Sequence, residues 1–332
     1  MHALLFILNT LSPVFLVVLL GAVLRHVGFL TEAFSSALNK FVFWVALPVF
    51  LFLSIQKSEF VAGSLPAAAV MVGATLLIAA IAWFGAPLFG IPPRSRGTFC
   101  QSVFRSNNAY VGMPVMAFAY AGRANVDDIM ALAALALAPC LILYNVLAVL
   151  VLTPNAMGAF DGDAGAEPRK LHVPASKILK GIATNPLILA CIAGSIGLLV
   201  RKGTGVEIPE FLARTLTSVG SLAGPGALLA LGASLTPERL RMALRGAHIA
   251  CVLKLLVCPL LGAILAYGIG LKPDARFVAL IYLTCPTAVA SFVMAQAMKG
   301  DDVLAGGAVA LSTLYSVLAL ALMLYLFGPA VA

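Results

Sequence analysis

The sequence predicts an all-α polytopic membrane protein, and both its composition and its hydropathy support this class. Hydrophobic residues make up 62% of the 332 residues and charged residues only 10%, and the mean hydropathy is +1.05. A soluble domain needs roughly 25% charged residues to cover its surface. Much of the surface of this chain is therefore expected to face lipid.

Ten apolar segments are long enough to cross a bilayer, whose core of about 30 Å requires roughly 20 residues per helix. The predicted spans are 4–24, 34–55, 66–89, 97–121, 126–153, 178–200, 211–235, 243–270, 275–298 and 302–327. The N-terminus has no basic region and no small-residue cleavage site before Arg25. It indicates a retained first span rather than a signal peptide.

One long polar interruption divides the spans into five plus five. We predict a first five-helix repeat over residues 1–153, a cytoplasmic linker over 154–177 and a second five-helix repeat over 178–332. With the N-terminus outside, twelve basic residues fall on the cytoplasmic side and seven on the outer side. The positive-inside rule then predicts a multi-pass protein of the inner (plasma) membrane with both termini outside.

The two halves contain similar sequences in the same order, at offsets of 172 to 177 residues. The matched pairs are Gly21–Arg25 with Gly197–Arg201, Pro48 with Pro225, Pro87–Gly90 with Pro259–Gly262, Pro114 with Pro286, and Asp127–Asp128 with Asp301–Asp302. Five spans is an odd number, so the second copy enters the membrane from the opposite side. This arrangement predicts an inverted-topology repeat, which is a transporter architecture.

Polar residues and a proline coincide at equivalent places in spans four and nine. We expect two broken helices that cross near the midplane and present their amides and half-helix N-termini to an anion. The alternative is a pair of proline-kinked packing helices. The predicted substrate-binding residues are Arg105, Asn107, Asn108, Tyr110, Gly112, Pro114, Lys254, Thr284, Pro286, Thr287 and Ser291.

Among these residues, the amides and the two cations carry the main functional hypotheses. Asn107 and Asn108 can donate to a carboxylate, although interhelical packing hydrogen bonds are the alternative. Arg105 and Lys254 can attract an anion, although their stems can also carry the charge to an interface. Asp127, Asp128, Asp301 and Asp302 stand at helix starts, where capping is the expected role.

Several classes of function are disfavoured by the residue types present. The net charge of +8 comes from scattered basic residues, so no nucleic-acid partner is expected. The six cysteines show no metal-ligand spacing, and no cofactor or metal is predicted. The spans hold no catalytic His, Asp or Glu constellation, so the chain is not expected to be an enzyme. The coupling ion stays open between proton and sodium.

Four segments resemble the auxin efflux carrier family, which includes plant PIN-type carriers and bacterial malonate or malate permeases. They are Phe43–Pro48, Asn107–Pro114, Asn185–Pro186 and Pro286–Ala295, the last followed by Gly300–Asp301. The resemblance implies two inverted five-helix repeats, an elevator-type movement, helices that cross at Pro114 and Pro286, and substrate contact by Asn107. The short linker is similar to that of the bacterial members.

The expected function is secondary active transport of a small organic anion, with malonate or malate as the carboxylates that the resemblance implies. The bilayer and a small carboxylate are the expected partners, and a homodimer stays open. A sodium-coupled bile-acid-type symporter shares this architecture and is one alternative, which the scarcity of intramembrane acids disfavours. A channel and an intramembrane enzyme are the others.

Overall fold

The structure, a computed structural model, describes residues 2–57, 63–156, 186–233 and 245–329. These ranges form helices joined by short connections, with one isolated β-bridge. The α-helices are α1 (His2–His26), α2 (Glu32–Phe41), α3 (Leu47–Gln56), α4 (Ser64–Gly85), α5 (Pro93–Phe104), α6 (Met113–Ala119), α7 (Val126–Ala156), α8 (Pro186–Thr204), α9 (Glu210–Gly220), α10 (Ala223–Ala233), α11 (Arg245–Val252), α12 (Cys258–Gly268), α13 (Pro273–Thr284), α14 (Val289–Ala297) and α15 (Asp302–Phe327). Most of the predicted linker, Asn185 and the first residues of the predicted sixth span lie outside the described ranges.

Seven helical stretches within these ranges are long and apolar enough to cross a membrane. They confirm a polytopic, all-helical membrane protein and coincide with predicted spans one, two, three, five, seven, eight and ten. Spans four and nine differ because each is divided into two short helices, α5 with α6 and α13 with α14. The described part of span six is α8, which has 19 residues.

Three π-helical turns interrupt the spans, and each is followed by a proline. The turns are Val42–Ala46, Asn108–Gly112 and Leu253–Val257, and the prolines are Pro48, Pro114 and Pro259. A proline ring clashes with the carbonyl four residues earlier and cannot donate a helical hydrogen bond. Each wide turn is centred on that earlier residue, so it relieves the clash and lets the helix continue.

Two close helix pairs form the first helix group. In this group α1 packs along α10, and α3 packs along α8. A side chain at Gly232 would collide with the backbone carbonyl of Val18, so α1 and α10 approach at backbone distance. Small residues permit this packing in membrane proteins.

The second group consists of α4, α5, α7 and α11 to α15, which share contacts around the broken spans. Nearly all of α13 is buried, as is α5 from Gly97 onward. Asp301 caps α15, since its carboxylate accepts from the Leu304 N–H at 2.9 Å and from the Ser95 hydroxyl at 2.6 Å. Asp127 and Asp128 lie in the first turn of α7.

Candidate functional site

The breaks in spans four and nine meet at the centre of the second helix group. The Asn107 N–H donates to the Pro286 carbonyl at 2.7 Å, and the Ala288 N–H donates to the Arg105 carbonyl at 3.0 Å. Between these bonds, Ser106 and Thr287 form an antiparallel β-bridge. Backbone groups that the helices leave unpaired are thus satisfied by the opposite break, as a buried backbone requires.

The two breaks arise differently along the sequence. α13 ends at Thr284, immediately before Cys285 and Pro286, as expected for a residue that cannot continue a helix. In span four the crossing lies at Arg105–Asn107 rather than at Pro114, which is the second residue of α6. Proline is tolerated in a first helical turn, and the preceding π turn removes its clash. The crossing implied at Pro114 is therefore displaced by about two helical turns.

The side-chain amides of Asn107 and Asn108 are buried and incompletely paired. Asn107 is 6% exposed and Asn108 is 2% exposed. The Asn108 Nδ2 donates to the Tyr144 hydroxyl at 3.4 Å. The Asn107 Nδ2 and the Asn108 Oδ1 have no hydrogen-bond partner in the structure. An unmade buried hydrogen bond costs about 1–3 kcal/mol, so burial of these two atoms carries a cost that their surroundings in the structure do not offset.

Three hydroxyl groups of the predicted site already have partners. Thr284 Oγ1 donates to the Leu280 carbonyl at 2.7 Å, and Thr287 Oγ1 donates to the Ser102 carbonyl at 2.7 Å. The Tyr110 hydroxyl donates to Asn39 Oδ1 on α2 at 3.1 Å. These contacts favour structural roles for the three side chains.

Lys254 lies in the π turn of span eight, and its side chain is fully buried. The ammonium group donates to the Ser106 hydroxyl and to the Leu283 carbonyl, the latter at 3.2 Å. One contact belongs to the break in span four and the other to the last turn of α13. Lys254 therefore joins both broken helices, and the structure records no carboxylate partner for it among the described residues.

The Arg105 side chain leaves the crossing on a different side from Ser106. Its guanidinium donates to Asn145 Oδ1 on α7 at 3.1 Å and to the Met294 thioether on α14. Ser291, one turn before Met294 in sequence, is fully buried, and its hydroxyl has no hydrogen-bond partner in the structure. The structure thus separates the two predicted cations, with Lys254 and Arg105 contacting different neighbours of the crossing.

Asn145, Tyr144 and Ser106 were missed by the sequence predictions. Asn145 could have been found, since it is an amide in an otherwise apolar run of span five and such residues are costly in a membrane. Ser106 and Tyr144 carry no comparable signal. Serine is common beside other polar residues, and tyrosine is common in apolar helices. Only the packing brings Ser106 to Lys254 and Tyr144 to Asn108.

Gly112 faces span nine, whereas Pro114 borders a cavity. A Cβ at Gly112 would stand 2.6 Å from the Tyr282 ring and 3.0 Å from the Cys285 sulfur, so this glycine permits the close contact of spans four and nine. The cavity has a volume of about 370 Å³ and separates α6 from the first helix group. Its lining is Pro13, Leu16, Val17, Leu47, Phe50, Ala109, Met113, Pro114, Ala117, Phe118, Gly220, Ser221, Ala223, Gly224, Pro225 and Leu228.

Comparisons with known proteins agree with this architecture. Residues 6–324 match the family described as Membrane transport protein. The chain is 26% identical over 314 residues to an uncharacterized transporter of Methanocaldococcus jannaschii, which covers 93% of this chain and 95% of that protein. It is 25% identical over 321 residues to an uncharacterized transporter of Methanothermobacter thermautotrophicus, which covers 95% and 96% of the two chains.

The family match spans both groups of helices and both breaks, so it concerns the whole membrane-embedded part of the chain. Its members are membrane transporters rather than enzymes, in agreement with the buried polar crossing between apolar helices. Proteins of the auxin efflux carrier type make up this family, as the motifs in spans four and nine predicted. The chain belongs to the Membrane transport protein family, and it is a transporter.

Proposed function

We propose that this transporter is a secondary active carrier for small carboxylates, with ten spans in two inverted repeats. It resides in the inner membrane with both termini outside, and the second helix group moves against the first as an elevator. The observation that carries the proposal is the pair of crossing helix breaks with the unpaired amide donor of Asn107 beside them.

Contacts between connecting segments support the ten-span topology. Tyr120 donates to Asp274 at 2.7 Å, Arg123 to the Pro329 carbonyl at 2.9 Å, and Arg201 to the Lys57 carbonyl at 3.4 Å. Ten alternating spans place all of these groups on the outer side. Ser95 and Asp301, which also form a hydrogen bond, both fall on the inner side. No contact of this set joins segments from opposite sides.

The helix packing supports the inverted repeat. Span one packs on span seven (α1 with α10), and the equivalent contact in the other copy is span six on span two (α8 with α3). Spans three and five (α4 and α7) touch, as do spans eight and ten (α11 and α15). Gly21 and Gly197, a matched pair in sequence, lie against Leu229 of α10 and against Phe52 and Gln56 of α3. If each span of the first repeat is replaced by the equivalent span of the second, and the reverse, every one of these contacts becomes another contact that the structure also contains.

A carboxylate suits the polar groups at the crossing. The Asn107 amide is an unpaired donor, and the N–H groups at the start of a helix carry partial positive charge. Lys254 places a basic nitrogen between the broken helices. The cavity that begins at Ala109 is large enough for the rest of a small organic acid.

The coupling ion in this proposal is a proton rather than sodium. The described acidic residues lie in first helical turns or in connecting segments, and none contacts the crossing. A sodium site is built from oxygen ligands, and the Lys254 ammonium already occupies the Ser106 and Leu283 oxygens. Uptake that requires sodium would instead favour a bile-acid-type symporter of the same architecture.

Asn107→Ala in proteoliposomes tests the proposal. The variant removes the unpaired donor while it keeps the backbone bond to Pro286, so we expect it to fold and to lose uptake of labelled malonate. Asn39→Ala is the matched control, since its amide contacts Tyr110 away from the crossing. Normal uptake by Asn107→Ala, with saturable uptake by the wild type, would refute this site. Uptake that never exceeds the external concentration would indicate a channel.

A further inference from the structure

The guanidinium of Arg105 has unusually weak partners for a cation inside a membrane protein. Of its five N–H donors, the structure pairs one with the Asn145 amide oxygen and one with the Met294 thioether. Both acceptors are neutral, and a thioether is a poor one. The ion pairs among the described residues do not include Arg105. A buried charge normally has a counterion or faces a functional cavity.

One further buried polar group contacts the same methionine, and another lies one turn away from it on α14. Gln101 lies on α5, one turn before Arg105, which directly follows that helix. Its Nε2 contacts the Met294 Sδ at 3.7 Å. Its Oε1 has no hydrogen-bond partner in the structure. Ser291 stands one turn before Met294 on α14, and its hydroxyl also has none. Both side chains are fully buried, so the cost of removing the Gln101 Oε1 and the Ser291 hydroxyl from water is not offset by a hydrogen bond.

We propose that Gln101, Arg105, Asn145, Ser291 and Met294 form a carboxylate subsite in which Met294 competes with the substrate for the Arg105 donors. The guanidinium rests on the Met294 thioether and the Asn145 amide, and a substrate carboxylate takes over its N–H donors when it binds. The Ser291 hydroxyl and the Gln101 Nε2 become further donors once Met294 is displaced. This inference rests on the proposed function and adds a second group of residues to Asn107 as contacts of the acid.

The chemistry selects a planar oxyanion. A guanidinium presents two parallel N–H groups that match the two oxygens of a carboxylate, and such charge-assisted pairs are stronger than bonds to neutral acceptors. Replacement of Met294 and Asn145 by the substrate as partners of the guanidinium is therefore favourable for a carboxylate. It is unfavourable for the corresponding amide, which offers only a neutral oxygen. Lys254 does not take this role, because its donors are directed to Ser106 and Leu283.

Met294→Leu gives the most specific test, because it removes an acceptor that competes with the substrate. Leucine has a similar volume, so the packing cost is small. The purified full chain is unfolded thermally in detergent with potassium acetate, benzoate or malonate, against potassium chloride of equal ionic strength and against malonamide. We expect the acid that stabilises the wild type to act at a concentration about threefold lower in Met294→Leu, since a competing hydrogen bond is lost.

Arg105→Lys provides the complementary variant, because lysine retains the positive charge but lacks the two parallel N–H donors of the guanidinium. We expect the required concentration to rise by about tenfold or more. Arg123→Lys is the control, because Arg123 is exposed and its Nη2 donates to a carbonyl at the protein surface. A purely structural Arg105 predicts no gain of affinity in Met294→Leu.

Each outcome separates this inference from the proposed function. Unchanged acid affinity in both Met294→Leu and Arg105→Lys would overturn the subsite while carboxylate binding by the wild type still supports the carrier. Loss of binding in Asn107→Ala with normal binding in Arg105→Lys would do the same. If none of the acids stabilises the wild type, the proposed substrate class fails and the subsite fails with it.

Discussion

The backbone N–H of Asn107 and the carbonyl oxygen of Pro286 form a 2.7 Å hydrogen bond that joins the two broken helices at their crossing. The bond connects residues that are 179 positions apart in the sequence, one from each predicted repeat. It holds the Asn107 side chain at the crossing while the Asn107 backbone is satisfied. The site therefore depends on how closely spans four and nine approach.

Gly112→Ala should separate these two spans. The added methyl group would stand 2.6 Å from the ring of Tyr282, whose hydroxyl is held by the Ala133 carbonyl at 3.0 Å. A buried ring of this kind cannot move aside freely, so we expect a loss of about 1–3 kcal/mol in stability together with a loss of uptake. Thermal unfolding in detergent measures the first effect. Gly203→Ala is the control, because its Cβ would meet no atom within 4 Å, and equal melting of the two variants would contradict the prediction.

Lys254→Met should dissociate stability from transport. Methionine fills the space of the lysine stem, and the gain from no longer burying an amine offsets the loss of the hydrogen bonds to Ser106 and Leu283. We expect a melting temperature near that of the wild type and an uptake rate near background, since the basic group at the crossing is lost. Lys202→Met, at an exposed position of α8, is expected to transport normally. Retained uptake in Lys254→Met would show that the basic group is not required.

Asp301→Ala should destabilise the start of α15. The carboxylate accepts from the Leu304 N–H and from the Ser95 hydroxyl, and loss of a helix cap costs about 1 kcal/mol. Asp302→Ala serves as the comparison, because Asp302 lies in the first turn without being the cap. Chemical or thermal unfolding should rank Asp301→Ala below Asp302→Ala. Equal stability of the two variants would argue for a role of Asp301 other than capping.

The orientation of the chain can be tested with single cysteines. The structure places Cys100, Cys140, Cys251, Cys258 and Cys285 in buried positions, so a Cys191→Ala background should react little with a membrane-impermeant maleimide. On intact cells we expect labelling of Lys202→Cys, in the segment proposed to face outward. Phe29→Cys, at a residue that is 75% exposed after α1, should react only after the membrane is opened. The reverse pattern would invert the proposed topology.

The sequence alone determined the class of protein and the break in span nine. Apolar length predicts a helix that can cross the membrane, because lipid cannot satisfy a polar backbone. Seven such stretches within the described residues agree with that expectation. Pro286 likewise predicted the break at the end of α13, since proline removes a helical donor. These are local properties, and a sequence reports them directly.

Only the tertiary structure decided what the polar residues contact. Arg105 and Lys254 look equivalent as cations in apolar segments, yet one reaches α7 and α14 while the other binds Ser106 and Leu283. The crossing in span four lies at Arg105–Asn107, although Pro114 is the stronger local signal. The reason is physical, since a π turn accommodates Pro114 within its helix. The position of the break is set by hydrogen bonds to Pro286 and Ala288, which lie far along the chain.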